Sequence, residues 1–208
     1  MEKLRHQMVV QQLRNRGIKD KNVINAMGTV PRHLFVNDDL QEDAYNDGPL
    51  PIGFEQTISQ PYIVAFMTEV LKVEQQHSVL EIGTGCGYQS AVLSTLAKHV
   101  ISLERIKELA ESAQRRLTEL GYSNIDVVHD NGWNGYKQNA PYDRIIVTAG
   151  AKAIPKPLIN QLANGGIMVI PVGKIMFSQT LLIISKDGHG NVNKETSLPV
   201  RFVRLVNK

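Results

Sequence analysis

A single cysteine in 208 residues, Cys86, excludes an internal disulfide framework and fits a reducing compartment. No apolar run approaches membrane-spanning length, and the stretch Met1-Glu2-Lys3-Leu4-Arg5-His6-Gln7 lacks an apolar signal core. The expectation is a cytoplasmic chain with no membrane partner. The histidines His6, His33, His77, His99, His129 and His189 show no H-x-x-x-H or other ligand spacing, so no metal is expected. Aromatics make up only 6% of the chain, and no basic stripe is interleaved with them. With a net charge of +3, nothing points to a nucleic-acid partner. Repeats and low-complexity tracts are absent. What remains is an ordinary globular composition, 42% hydrophobic and 21% charged, with length for one domain over residues 1–208.

The most informative stretch is Val79-Leu80-Glu81-Ile82-Gly83-Thr84-Gly85-Cys86-Gly87-Tyr88. Its apolar start reads as a buried parallel strand. Glycines then allow a tight turn and close approach of a ligand to the backbone. Ala91, Val92, Leu96 and Ala97 follow at helical spacing, so the free N–H groups of a helix start face the turn. The pattern is G-x-G-x-G. The third glycine of a dinucleotide fingerprint is replaced by Tyr88, which leaves a poor pyrophosphate seat. Glu104 ends the next strand-like run, Val100-Ile101-Ser102-Leu103, where a carboxylate can accept hydrogen bonds from both ribose hydroxyls. Turn and carboxylate together point to a nucleoside cofactor such as S-adenosylmethionine; a ligand-free tight turn is the plain alternative.

Residues 3–16 read as a helix with Leu4, Met8, Val9 and Leu13 on one side and Gly17 as its stop. Asp20 caps a second helix ending before Pro31, and a short turn follows near Leu34. Residues 1–45 thus form a helical preface, 46–62 a loop, and 63–208 the core. Pro61 opens a helix carrying Ile63, Val64, Met67, Val70 and Leu71. Strands are expected at 125–128, 143–148, 167–170, 180–185 and 198–206, and helices at 105–120 and 156–163. This alternation predicts a doubly wound, mostly parallel sheet ending in a strand pair. Ligands in such sheets sit beyond the carboxyl ends of the strands, which gathers Gly83–Gly87, Glu104, Asn131-Gly132 and Thr148-Ala149-Gly150 around one crevice.

From about residue 10 to 206 the chain resembles the protein-L-isoaspartate (D-aspartate) O-methyltransferases. The resemblance is carried by Leu50-Pro51-Ile52-Gly53, Thr57-Ile58-Ser59-Gln60-Pro61-Tyr62, the glycine turn, Glu104-Arg105-Ile106, Pro141-Tyr142-Asp143, Gly165-Gly166, Pro171-Val172-Gly173 and Val200-Arg201-Phe202-Val203. It implies a Rossmann-like methyltransferase fold and S-adenosylmethionine as cofactor. The implied reaction transfers a methyl group to the free carboxylate of L-isoaspartyl and D-aspartyl residues in damaged proteins and peptides. A monomer acting on such chains, with no nucleic acid involved, is expected. Two rivals stay open: a nucleic-acid methyltransferase, and a module that binds S-adenosylmethionine without catalysis. Against the first, the sequence after the fourth strand is Thr148-Ala149-Gly150-Ala151, not an Asp/Asn-Pro-Pro-aromatic motif, and no Pro-Cys pair is present.

Carried over by the resemblance, Ser59 is the active-site serine, and Thr57 and Ile58 shape the substrate site with it. Gly83, Thr84, Gly85, Glu104, Asn131, Gly132 and Gln179 match cofactor positions. Three of these have a plainer reading: Ser59 as a helix cap, Glu104 as a surface residue at a helix start and Gln179 as a solvated loop residue; Cys86 reads as packing, not as a nucleophile. Two departures stand out. The family's Gly-Asp-Gly, whose aspartate holds the adenine amino group, is Asp130-Asn131-Gly132, so cofactor binding is weakened or Asp130 compensates. Its Phe-Val-Pro-Leu is Phe202-Val203-Arg204-Leu205, placing Arg204 either beside an anionic substrate or in solvent. The chain also contains damage-prone pairs, Asp187-Gly188 foremost, and slow self-methylation of aged molecules is expected there.

Overall fold

The computed structural model describes residues 1–173 and 178–207. Helix α1 (Glu2–Gln7) continues through a wider turn over Met8–Leu13 and a tighter one over Arg14–Arg16, and Gly17 ends it in the left-handed region. Met8, Val9 and Leu13 are buried, but Leu4 is 38% exposed and lies outside the expected apolar stripe. Helix α2 (Lys21–Thr29) starts at Asp20, whose carboxylate accepts from Asn22 N at 2.8 Å and Val23 N at 3.2 Å, a side-chain N-cap.

The expected loop after residue 46 contains a hairpin, β1 (Leu50–Gly53) and β2 (Gln56–Ile58), antiparallel with Leu50 opposite Ile58. Phe54 and Glu55 both take positive φ at its tip. Such a turn normally carries Asn or Gly, so no local hairpin signal marks this one. Helix α3 (Pro61–Leu71) follows, with proline in its first turn and Gln60 as N-cap.

The main sheet contains β3 (Ser78–Ile82), β4 (His99–Glu104), β5 (Ile125–His129), β6 (Tyr142–Val147), β7 (Leu162–Val172), β8 (Gln179–Lys186) and β9 (Val192–Val200). Between them lie α4 (Tyr88–Ser94), α5 (Lys107–Glu119) and α6 (Lys156–Gln161). The strand order is β5-β4-β3-β6-β7-β8-β9; the first five are parallel, and β8 and β9 add antiparallel. This is the doubly wound, Rossmann-like arrangement that the alternation predicts. Along the central strands residues alternate between two apolar clusters. Val79, Val100 and Ile146 pack with the N-terminal helices, while Leu80, Ile101 and Ile145 pack on the other face. Both faces are covered, as a parallel sheet requires.

Two boundaries differ from expectation. Strand β7 extends back through Asn164-Gly165-Gly166, where its register against β6 shifts. The last strand is β9, not 198–206. Its run Val192–Thr196 is exposed and, after Val192, polar, so no apolar alternation marked it. The β8–β9 hairpin turns at Asp187, whose carboxylate accepts from His189 N, Asn191 N and the Asn191 amide. Those bonds hold the carboxyl below the usual carboxylate range, so it is ionised and tied down, a poor start for succinimide closure. Residues 201–207 leave the sheet and cross its carboxyl ends. Gly150 N donates to Val203 O at 2.7 Å and Leu205 N to Gly150 O at 2.9 Å. Among the described residues no helix is long and apolar enough to cross a membrane.

Beneath the glycine turn lies a buried polar cluster. Ser90 and Ser102 hydroxyls both donate to Glu81 Oε2, the second at 2.7 Å, and Ser102 also meets the Thr84 hydroxyl at 2.6 Å. Glu81 Oε1 has no partner among the described residues. Burial pushes the Glu81 carboxyl up to about 7 from 4.5, against the pull of the two serines and with help from the charge of Glu104. The folded chain therefore holds this proton more tightly than the unfolded chain. Stability falls as pH rises from about 4.5 to about 7 and levels off above, by at most about 3 kcal/mol. Denaturant unfolding across that range should show the fall in the parent and a flatter profile in Glu81→Gln.

Candidate active site

Strand β3 neighbours β4 on one side and β6 on the other, so the order reverses there and a crevice opens at its carboxyl end. The turn is tied to both neighbours. Gly83 N and Thr84 N donate to Leu103 O at 2.8 and 3.2 Å. On the β6 side the Thr148 hydroxyl donates to Gly83 O at 2.7 Å. Gly83 sits at φ +99°, and a Cβ there would collide with Thr148 Oγ1, so only glycine fits.

Glu104 ends β4, 6% exposed, with Oε2 accepting from Gly85 N and Oε1 from Ile106 N, each at 2.9 Å. Each oxygen keeps a lone pair directed at further donors. The carboxylate lines a cleft with Ile82, Gly83, Gly85, Leu103, Asn131, Gly132, Thr148 and Ala149, closed above by Gln56, Thr57 and Val203–Val206. Gly132 packs on Ile82 so closely that a Cβ would strike Ile82 Cγ2. Asn131 Oδ1 accepts from Trp133 N at 3.0 Å and so caps the short turn Gly132–Asn134. Asp130 is exposed, and its carboxylate accepts from Asn131 N at 2.6 Å; it is not part of the cleft wall. Arg204 is exposed at the rim of this cleft.

A second pocket adjoins the first and shares Thr57, Gly83, Gly85 and Thr148 with it. Ile58, Ser59, Ile63, Met67, Cys86, Tyr88 and Phe202 contribute to its remaining walls. Ser59 is not the N-cap of α3; that position is Gln60, without a side-chain capping bond. No Asp, Glu, His or Lys lines this pocket among the described residues. Burial pushes the Cys86 thiol up, as it does the Tyr88 hydroxyl, so neither is a base at neutral pH. An outer groove past Pro49, Gln60, Pro199 and Arg201 opens from the same Thr57, Ser59 and Thr148.

The crevice gathers Gly83, Gly85, Glu104, Asn131, Gly132, Thr57, Ile58 and Ser59. Thr84 turns its hydroxyl down into the buried cluster and reaches only the second pocket. Gln179 is neither solvated nor in a cleft wall. It is 1% exposed, with Oε1 accepting from Phe202 N at 2.7 Å and Nε2 donating to Phe202 O at 3.3 Å, so it pins the segment that roofs the cleft. Sequence reasoning missed Arg32, 0% exposed, whose Nη2 donates to Ser59 O at 2.7 Å. Its only signal was a lone charge in the apolar stretch Val30-Pro31-Arg32-His33-Leu34-Phe35-Val36. Among the described residues no group of three His, Cys, Asp or Glu is placed to hold a metal ion.

A family model described as protein-L-isoaspartate(D-aspartate) O-methyltransferase (PCMT) matches residues 4–208. The protein-L-isoaspartate O-methyltransferase of Synechococcus sp. is 53% identical over 208 residues, covering 97% of this chain and 85% of that one. That of Geobacter metallireducens is 50% identical over 204 residues, 98% of this chain and 94% of its own. A solved protein-L-isoaspartate O-methyltransferase superimposes with a TM-score of 0.87 at 28% identity, over 96% of this chain and 65% of that longer one. A putative Plasmodium falciparum member, crystallised with S-adenosyl-L-homocysteine, gives 0.82 at 26% identity over 98% and 99%. With the site geometry in agreement, the chain belongs to the protein-L-isoaspartate (D-aspartate) O-methyltransferase family.

Proposed function

We propose that this chain repairs aged proteins by methylating the free carboxylate of L-isoaspartyl and D-aspartyl residues, and that Ser59 orients that carboxylate. The observation that carries this reading is the pair of adjoining pockets. One holds a buried carboxylate suited to a ribose, and the other lies under Ser59 with no base in its wall. The cofactor, S-adenosylmethionine, supplies an electrophilic methyl group. Glu104 would hold the ribose hydroxyls, Asn131 and Gly132 would meet the base, and Gly83 and Gly85 would form the backbone edge of the cleft.

A carboxylate with an ordinary pKa near ~4 is already ionised at neutral pH, so the reaction needs no general base. Opposite charges on the two reactants vanish as the bond forms, and water would stabilise them apart. The chain's task is therefore alignment and exclusion of water, which in oriented systems lowers barriers by as much as ~7–11 kcal/mol. The Ser59 hydroxyl and neighbouring N–H groups set the approach, the hairpin β1–β2 covers the turn, and residues 203–206 close the cofactor side. The outer groove takes the flanking peptide. Monomeric action in the cytoplasm, without nucleic acid, completes the reading.

Three substitutions test it. Ser59→Ala should lower kcat by about a hundredfold while changing stability by under ~0.5 kcal/mol; unchanged turnover would remove Ser59 from the chemistry. Titration calorimetry of Glu104→Gln should show S-adenosylmethionine binding weakened by about tenfold to a hundredfold, since charge-assisted bonds to the ribose are lost. Asn131→Asp keeps the cap on Trp133 N and adds a charged acceptor, so the same titration should show a gain of several-fold; equal affinity means the amide oxygen suffices.

A further inference from the structure

Arg32 opens a short turn, Arg32–Phe35, that ties the N-terminal helices to the core. Its guanidinium is wholly buried. Nε donates to Ala44 O at 2.6 Å and Nη2 to Ser59 O at 2.7 Å. Its Cζ lies over the Tyr88 ring, 4.9 Å from the centroid. Nη1 has no partner, and no carboxylate pairs with the guanidinium, among the described residues. Burial lowers its pKa, yet an arginine stays charged under any physiological condition.

A buried cation without an anion is among the costlier features a fold can carry. Holding two carbonyls does not require the charge, since a neutral amide donor would do as much. The ring face and the carbonyls soften the penalty without supplying a counter-charge. Ser59, Cys86 and Tyr88 form the wall between Arg32 and the second pocket. A charge behind that wall acts through protein, where it is screened far less than at a surface.

We propose that Arg32 is the positioning residue for the substrate carboxylate: it holds the Ser59 carbonyl in place and attracts the anion that seats in front of it. This rests on the reading of the Ser59 pocket as the carboxylate seat. The attraction is strongest for the ionised reactant and disappears in the neutral ester. Arg32 therefore favours capture of substrate and release of product more than the chemical step, so loss of its charge acts more on KM than on kcat. It also gives the pocket a preference for a charged side branch over an uncharged one of the same shape.

The test compares an isoaspartyl peptide with its isoasparaginyl counterpart, in which a carboxamide replaces the carboxylate. Binding to the full chain loaded with S-adenosylhomocysteine is measured by calorimetry. The parent should favour the carboxylate by about tenfold. Arg32→Gln should abolish that preference by weakening the carboxylate peptide alone, and Arg32→Lys should keep part of it. A preference unchanged in Arg32→Gln overturns the proposal. Should that variant not fold, the parent decides. A buried charge predicts a preference that survives at about 1 M salt, where the Debye length is roughly 3 Å, and its collapse there overturns the proposal equally. Full activity in Ser59→Ala would instead discard the seat itself, so the two failures are distinct.

Discussion

The carboxylate of Glu104 accepts one hydrogen bond from Gly85 N and one from Ile106 N. Through those two contacts the turn after β3 and the start of α5 after β4 become one rigid ledge. Thr148 fixes the same turn from β6 by bonding the Gly83 carbonyl. The crevice is therefore held on three strands at once, and its geometry does not depend on any mobile side chain. Two further elements complete it from outside the parallel sheet. The hairpin β1–β2 brings Ile52 over Gly85, and the segment 203–206 arrives from beyond β9.

The floor of this site was legible in the sequence and its roof was not. Gly83, Gly85 and Glu104 announce themselves because a strand, a glycine turn and a strand-end carboxylate follow one another within one βαβ unit, where local pattern dictates geometry. The doubly wound, mostly parallel sheet and its final strand pair followed from alternation in the same way, whereas the strand order did not. The hairpin tip Phe54-Glu55 uses positive φ without glycine or asparagine, and the polar strand β9 has no apolar face to reveal it. Gln179 and Arg32 act on residues 23 and 27 positions away, through contacts that no local periodicity encodes. Such long-range polar bonds are visible only once the chain is folded.

Tyr88 shows how one position serves several layers. It stands where a dinucleotide fingerprint has its last glycine, and it faces away from the cofactor cleft. Its ring lies beneath the Arg32 guanidinium and edge-on to Phe35, and its hydroxyl points at Met27. The N-terminal helices thus dock on the first residue of α4, and the substrate side of the site is built on that docking. Removal of the third glycine and attachment of the helical layer are one event in the sequence.

Strand β9 is one of the two edges of the main sheet, β5 being the other. A bare sheet margin recruits strands of other chains by backbone pairing. Along β9 the exposed residues are Val192, Asn193, Lys194, Glu195, Thr196 and Pro199, all but Val192 and Pro199 polar or charged. Charge discourages close lateral association there, and proline withholds a donor. The β9 margin of the sheet is in this way guarded against lateral pairing with other chains.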